Sequence, residues 1–262
     1  MHAIRNKEQV LASEREFFDE DASRLTDDDL MIAPDQMARY RDARPRAINT
    51  PKDSLFALLG DLRGKRVLEY GCGLGEDSCH LADRGARVTA FDLSPVSINK
   101  ARRRAQILGL ADRITFDVNA AGRLDYEPGQ FDLVTGIAIL HHLHSELDVI
   151  YDEVNRMLTR DGVAYFTEPV ANSGFLRGMR KLVPVPTHAT PDERQLAYAD
   201  FERLKRHGFG CVDYFHFHCL TRLRRVLGGR VERPLRWMDH HAQRLMPFLK
   251  PTYGIILVRA SR

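Results

Sequence analysis

Val67-Leu-Glu-Tyr-Gly-Cys-Gly-Leu-Gly75 reads as a buried strand that runs into a glycine-rich turn and then, from Glu76 to Arg84, into a helix. Val67 and Leu68 suit a central strand, while Gly71, Gly73 and Gly75 let the backbone turn tightly and approach a ligand with no Cβ in the way. The helix that follows turns its free N–H groups toward that ligand, so a nucleotide-like occupant is expected. A dinucleotide fingerprint would need its last glycine where Glu76 stands. Glu69, on the strand itself, suits a ligand carrying an ammonium group better than a pyrophosphate.

Farther along, Val88-Thr-Ala-Phe-Asp-Leu93 forms a second short strand ending in Asp92, roughly 20 residues on, where a ribose-binding acid is expected in such folds. Ile114 to Val118 is a third strand followed by Asn119-Ala120, and Phe131 to Thr135 a fourth. The fourth leads through Gly136-Ile-Ala-Ile-Leu140 into His141-His142-Leu143-His144, and Val163 to Thr167 is a fifth ending at Glu168-Pro169. Between them lie helices from Pro95 to Leu108, capped by Ser94, and from Glu146 to Leu158, with Ser145 as the expected cap. Alternating helices and near-continuous apolar strands predict a parallel sheet wrapped on both faces, with ligands at the C-terminal strand ends. One edge then holds Gly71 to Gly75, Asp92, Asn119, Ile137 to His142 and Glu168.

VLEYGCGLG, FDLSP, FDLVTGIAILHHL and DGVAYFTEP, in that order between Arg66 and Glu168, make the chain resemble the class I S-adenosylmethionine-dependent methyltransferases. The resemblance implies an α/β, Rossmann-like, seven-stranded and mostly parallel sheet with helices on both faces and the last strand reversed. It implies S-adenosyl-L-methionine as cofactor, lying along Glu69, Gly71, Cys72, Gly73, Gly75, Asp92, Leu93, Val118, Asn119, Ala120, Gly136 and Ile137. In that family the glycine turn holds the methionine part, the acid matching Asp92 binds the ribose, and Leu93 would pack on the adenine. Asn119 stands where relatives often carry an acid toward the adenine amino group, and its side-chain carbonyl can still accept that hydrogen bond. A nicotinamide-binding domain is the competing reading of the glycine turn alone.

Residues 1 to 50 carry an amphipathic pattern from Asn6 to Phe18 with acid clusters after it, and resemble a helical cap that closes over the cofactor; Tyr40 and the basic stretch 39–46 would line that closure or form a surface linker. The methyltransferase domain would then run from 51 to 262. It opens with a helix from Pro51 to Leu62, capped by Thr50. Insertions are expected near 170–191, as a lid with Arg177, Arg180 and Lys181, and near 221–250, an amphipathic stretch holding Trp237, Met238, Leu245, Met246 and Phe248. Asp192 to His207 reads as a helix. Cys211 to Cys219 and Tyr253 to Arg259 read as strands of a reversed hairpin at the sheet edge.

The bulk properties exclude several classes. With 262 residues, 44% of them hydrophobic, the chain suits one large α/β domain, or one with a small cap. No apolar run reaches about 18 residues and the N-terminus carries acids, so a membrane span and a signal peptide are not expected and a cytoplasmic location is. Four cysteines without a C-x-x-C pair point to free thiols. The formal charge of +3 hides an asymmetry: residues 171–262 hold 17 Lys and Arg against 7 Asp and Glu. That suits a solvated arginine face, an anionic acceptor, or peripheral contact with a membrane surface.

Methyl transfer is an in-line displacement in which positioning supplies much of the acceleration, and a hydroxyl or protonated amine acceptor also needs a base. His142 and His141, just after the fourth strand, are the first candidates; Glu168 and His188 follow. A His pair in this place can equally cap a helix. No acidic triad or ligand cluster emerges, His216, His218 and Cys219 being split over two faces of a strand, so no metal is expected. The expected function is O- or N-methylation of a small, specialised metabolite. C-methylation of a quinone or lipid-like acceptor, nucleic-acid methylation and a non-catalytic S-adenosylmethionine-binding module stay open as alternatives. The fourth strand lacks an N-P-P-Y-type motif, so a nucleic-acid partner is not expected.

Overall fold

The computed structural model describes residues 7–41, 50–170, 194–217, 228–245 and 254–262. Its centre is a sheet of seven strands, β1 (Arg66–Tyr70), β2 (Arg87–Asp92), β3 (Ile114–Val118), β4 (Phe131–Ile137), β5 (Leu158–Pro169), β6 (Cys211–Phe217) and β7 (Ile255–Ser261), in the spatial order β3-β2-β1-β4-β5-β7-β6. β1 pairs in parallel with β2 on one side and β4 on the other, and β7 alone runs against its neighbours, β5 and β6. The chain lays β2 and β3 to one side of β1 and then crosses to β4. The strand order therefore reverses between β1 and β4, the place where open α/β sheets bind ligands.

Alternation along β1 explains the two cores. Val67 packs with Leu55, Phe56, Cys79, Ile98 and Phe116 on one face. Leu68 and Tyr70 pack with Phe91, Leu147, Ile150, Tyr151 and Phe166 on the other. The first layer is covered by helices α4 (Pro51–Leu58), α5 (Glu76–Asp83) and α6 (Pro95–Ile107), the second by α7 (Leu147–Met157) and the short α8 (Tyr198–Glu202). Ahead of them lie α1 (Lys7–Ser23), α2 (Asp27–Leu30) and α3 (Pro34–Arg41); the last helix, α9 (Glu232–Leu245), falls between β6 and β7.

The expected caps hold at two helices and fail at a third. Thr50 and Ser94 accept from the backbone N–H of Asp53 (3.0 Å) and Ser97 (2.9 Å). At α7 the cap is Glu146, without a side-chain bond, rather than Ser145. The first helix runs on to Ser23 through Asp19, Glu20 and Asp21, whereas α4 stops at Leu58 because Gly60 (φ +68°) turns the chain. The helix expected over Asp192–His207 is shorter than read. Leu196 bridges Val170 in extended backbone, the Arg194 guanidinium pairs with Asp200 (2.8 Å), and only Tyr198–Glu202 is α-helical before a 3-10 turn to His207. β6 ends at Phe217. His188, Arg177, Arg180, Lys181, His218, Cys219, Met246 and Phe248 lie outside the described residues.

Tyr40 does not face a closure. It is buried against Phe56 and His80 with the Lys52 ammonium 5.0 Å from its ring, which ties α3 to α4 and α5. Arg39 and Arg41 complete that attachment through Asp53 and Asp83.

Candidate active site

A cavity of about 170 Å³ opens at the β1/β4 reversal, lined from below by Gly71, Gly73, Phe91, Asp92 and Leu93. Asn119, Ala120 and Ala121 from the loop after β3 form one wall, and Ala138, Ile139, His142 and Leu143 from the turn after β4 another. Leu11, Glu14 and Phe18 close it from above, at the i, i+3 and i+7 positions that put one face of α1 over the site.

The glycine turn is shaped by sterics and by one carboxylate. Gly71 sits at φ +65°, and a Cβ there would lie 2.5 Å from Ile139 Cδ1, so only glycine lets the two turns meet. The Gly73 N–H donates to Asp92 Oδ2 (2.8 Å) and the Ser94 N–H to Asp92 Oδ1 (3.0 Å), which locks the β2 tip to the turn. Gly75 is needed for a different reason. A Cβ there would meet Ala101 Cβ at 2.8 Å, so this glycine serves the packing of α5 on α6. Burial lifts the Asp92 carboxyl above its ordinary value even though Ser94 and Gly73 N–H groups oppose the shift. Each of its oxygens keeps a second lone pair for a ribose hydroxyl.

The turn after β4 is held by Glu168 at the tip of β5. This buried carboxylate accepts from the N–H groups of Ile139 (2.9 Å) and Leu140 (2.7 Å) on Oε1 and meets His141 Nδ1 (2.9 Å) on Oε2. The fixed turn includes Ala138 at φ +54°, the one positive-φ residue other than glycine among the described residues, a conformation that persists only where surroundings over-determine it. His141 is thereby drawn to Glu168 and is absent from the cavity lining, while His142 faces the cavity, with Nδ1 3.4 Å from Glu14 Oε1 and the Phe18 ring edge-on at 5.8 Å.

Of the residues assigned to the cofactor from sequence, the structure brings Gly71, Gly73, Asp92, Leu93, Asn119 and Ala120 together at one cavity. Glu69, Cys72, Gly75, Val118, Gly136 and Ile137 are not part of its lining. Glu69 is buried behind the turn, where the Ser78 hydroxyl donates to it; burial, then the nearby Asp77 charge, pushes it up to about 8. Cys72 is buried in the first core layer and Val118 is exposed. A Cβ on Gly136 would meet Ile139 and Phe166, so it makes room for the His turn. Sequence reading missed Glu14, Phe91, Ser97, Ala121 and Leu143 as lining residues, although the spacing of Leu11 and Phe18 on the expected N-terminal helix carried part of the signal. No group of three or more His, Cys, Asp and Glu side chains among the described residues is arranged to hold a metal ion.

The positive-φ cradle at Gly71 and Gly73, the acid at the β2 tip and the small, apolar wall of Leu93, Ala120 and Ala121 fit a cofactor with a ribose and a flat base. The fold and this cavity define a Rossmann-like domain that holds a nucleoside-bearing cofactor. Residues 67–162 match the family described as a methyltransferase domain. A stretch of 114 residues is 38% identical to the fatty-acid O-methyltransferase of Mycolicibacterium smegmatis, covering 43% of this chain and 40% of that one. Another of 179 residues is 30% identical to the 27-O-demethylrifamycin SV methyltransferase of Amycolatopsis mediterranei, covering 68% and 57%. The chain thus spans about half the length of these curated relatives. Among solved structures, a Haemonchus contortus phosphoethanolamine N-methyltransferase 2 complex with S-adenosyl-L-methionine matches with a TM-score of 0.60 at 18% identity, over 95% of this chain and 59% of that one. The [4+2]-cyclase SpnF matches at 0.55 and 21% identity, over 76% and 75%. These two likenesses concern the fold, which hosts more than one reaction. Residues 67–162 thus match a methyltransferase domain, in line with the S-adenosylmethionine-dependent family that the sequence motifs resemble.

Proposed function

We propose that this protein methylates an oxygen or nitrogen of a small, specialised-metabolite acceptor in the cytoplasm, with residues 1–50 as a cap over a domain spanning 51–262. The observation that carries the reading is the meeting, in one cavity, of Gly71, Gly73 and Asp92 with His142 under α1. Bound S-adenosylmethionine would supply a methyl group made electrophilic by its sulfonium. Asp92 would take the ribose hydroxyls, Leu93, Ala120 and Ala121 the base, and Asn119 the exocyclic amine. His142 would accept the acceptor's proton on Nε2. Glu14, 3.4 Å from Nδ1, favours the tautomer with hydrogen on Nδ1 and stabilises the imidazolium that forms. Glu168, saturated by two backbone N–H groups and His141, acts as a positioning residue for the turn.

The described lining contains Glu14 and Asp92 and no Lys or Arg, which favours a neutral, largely apolar acceptor over the anionic one suggested by bulk charge. A relative named for fatty-acid O-methylation supports the apolar character of the acceptor, and this one and the 27-O-demethylrifamycin SV methyltransferase support a small-molecule oxygen as the methylated atom. Calorimetric titration with S-adenosylmethionine and S-adenosylhomocysteine tests the reading. Both should bind, and Asp92→Ala should weaken both by about tenfold or more, the loss of one to two hydrogen bonds to a charged group. Failure of either to bind the unaltered protein would overturn it.

A further inference from the structure

Helix α9 wears its apolar side outward. Trp237, Met238 and Leu245 are 53%, 47% and 78% exposed, and with His241 they occupy the i, i+1, i+4 and i+8 positions of one face. The opposite face turns Leu235 and Asp239 inward, both buried. The helix is thus amphipathic with the usual sense reversed, and the Trp237 indole lies on the His241 ring at 4.1 Å, at the surface.

The surrounding chain supplies the complementary charge. Residues 222–250 hold eight Lys and Arg against two acids, Glu232 and Asp239. Glu232 is paired with Arg236 and Asp239 is buried, while Arg230 is exposed; by composition the stretch is strongly cationic. An aromatic and aliphatic stripe in an arginine-rich helix of low overall hydrophobicity is the composition of helices that lie in the interface of an anionic bilayer.

The segment that holds this helix leaves and re-enters the sheet at the edge where the cavity opens. Phe217, the last residue of β6, and Pro169, the last of β5, both pair with Ile255, the first of β7. Chain leaving Phe217 and returning at Ile255 therefore does so at the sheet edge that carries Asp92, Asn119 and the His turn.

We propose that α9 is a membrane-surface helix, seating Trp237, Met238 and Leu245 in an anionic lipid leaflet and so presenting the cavity edge to acceptors dissolved in that leaflet. The lipid contact stands on α9 alone; its use in acceptor delivery rests on the methyltransferase reading above.

Trp237 is the single tryptophan of the chain, so its fluorescence reports on this face without labelling. The full-length protein is mixed with vesicles of phosphatidylcholine, alone or with phosphatidylglycerol, and binding is followed by emission and co-sedimentation. Anionic vesicles should shift the emission to shorter wavelength and carry the protein down, the phosphatidylcholine vesicles should do neither, and salt should weaken the effect. The M238S/L245S double variant, whose altered side chains are both exposed, should melt like the unaltered protein yet bind anionic vesicles roughly tenfold or more weakly, given the apolar surface removed. Absence of binding, or binding undiminished in the variant, would overturn the proposal. So would a blue shift that grows with protein concentration without vesicles and accompanies dimers in sedimentation, which would assign the face to a second copy. None of these readouts requires cofactor binding, so they fail or succeed independently of the calorimetric test.

Discussion

At the scale of single residues, the base proposed above is His142, with Glu14 beside it. Four groups were candidates for the base from sequence. Glu168 and His141 hold each other and the turn, and His188 lies outside the described residues, whereas His142 faces the cavity. His142→Ala should leave cofactor affinity unchanged and reduce turnover by about 10² to 10⁴, the usual worth of a positioned base; turnover at the original rate would remove it from the mechanism. Glu14→Gln should lower kcat less and displace the acidic limb of the pH–rate profile to lower pH, because the imidazolium loses its counter-charge. A purely structural Glu14 would leave that limb in place. Glu69 offers a second residue-scale test. Its carboxyl is raised from the ordinary 4.5 to about 8, chiefly by burial, so the folded protein holds this proton more tightly than the unfolded chain. Its contribution to stability is complete below about 4.5 and is lost as pH rises through about 8. The melting temperature of the protein relative to Glu69→Gln should therefore fall with pH across that interval, and a constant difference would contradict the assignment.

The elements were legible in proportion to how local their causes are. β3 came out of the sequence with the bounds it has in the structure, and the Thr50 and Ser94 caps were readable because a hydroxyl, a proline and an apolar run suffice to define them. The segment after Asp192 was misread because tertiary partners override its helical pattern: Leu196 is spent on a bridge to Val170 and Arg194 on Asp200. The inward face of α1 was partly visible as periodicity, but that it would bring a carboxylate to His142 depends on how the helix lies across α6. Asp19 sets that placement, accepting from the Ser94 hydroxyl and from the Val96 N–H (3.3 Å) at the positive N-terminal end of α6. Asp19→Ala should cost about 1 kcal/mol of the cap's attachment. Exchange of α1 amides by hydrogen–deuterium mass spectrometry should accelerate while the β1 and β4 amides stay protected; equal protection in the variant would show that α1 docks by other contacts.

Over the whole molecule, the seven-stranded sheet and its reversed last strand were expected from the family resemblance that four motifs carry, whereas the strand order is a finding of the structure. What lies around the sheet was less legible, because the N-terminal helices attach through tertiary pairs such as Arg39 with Asp53 and Asp19 with Ser94 that no local pattern announces. One small group couples the two regimes. The Ser94 N–H donates to Asp92, its hydroxyl donates to Asp19, and the same oxygen accepts from Ser97. A single residue thus joins Asp92 on the cavity floor, the start of α6 and helix α1. The helix that roofs the cavity is therefore moored to the carboxylate on the cavity floor, so a substitution that shifts α1 is transmitted to Asp92 through one hydroxyl and one amide of Ser94.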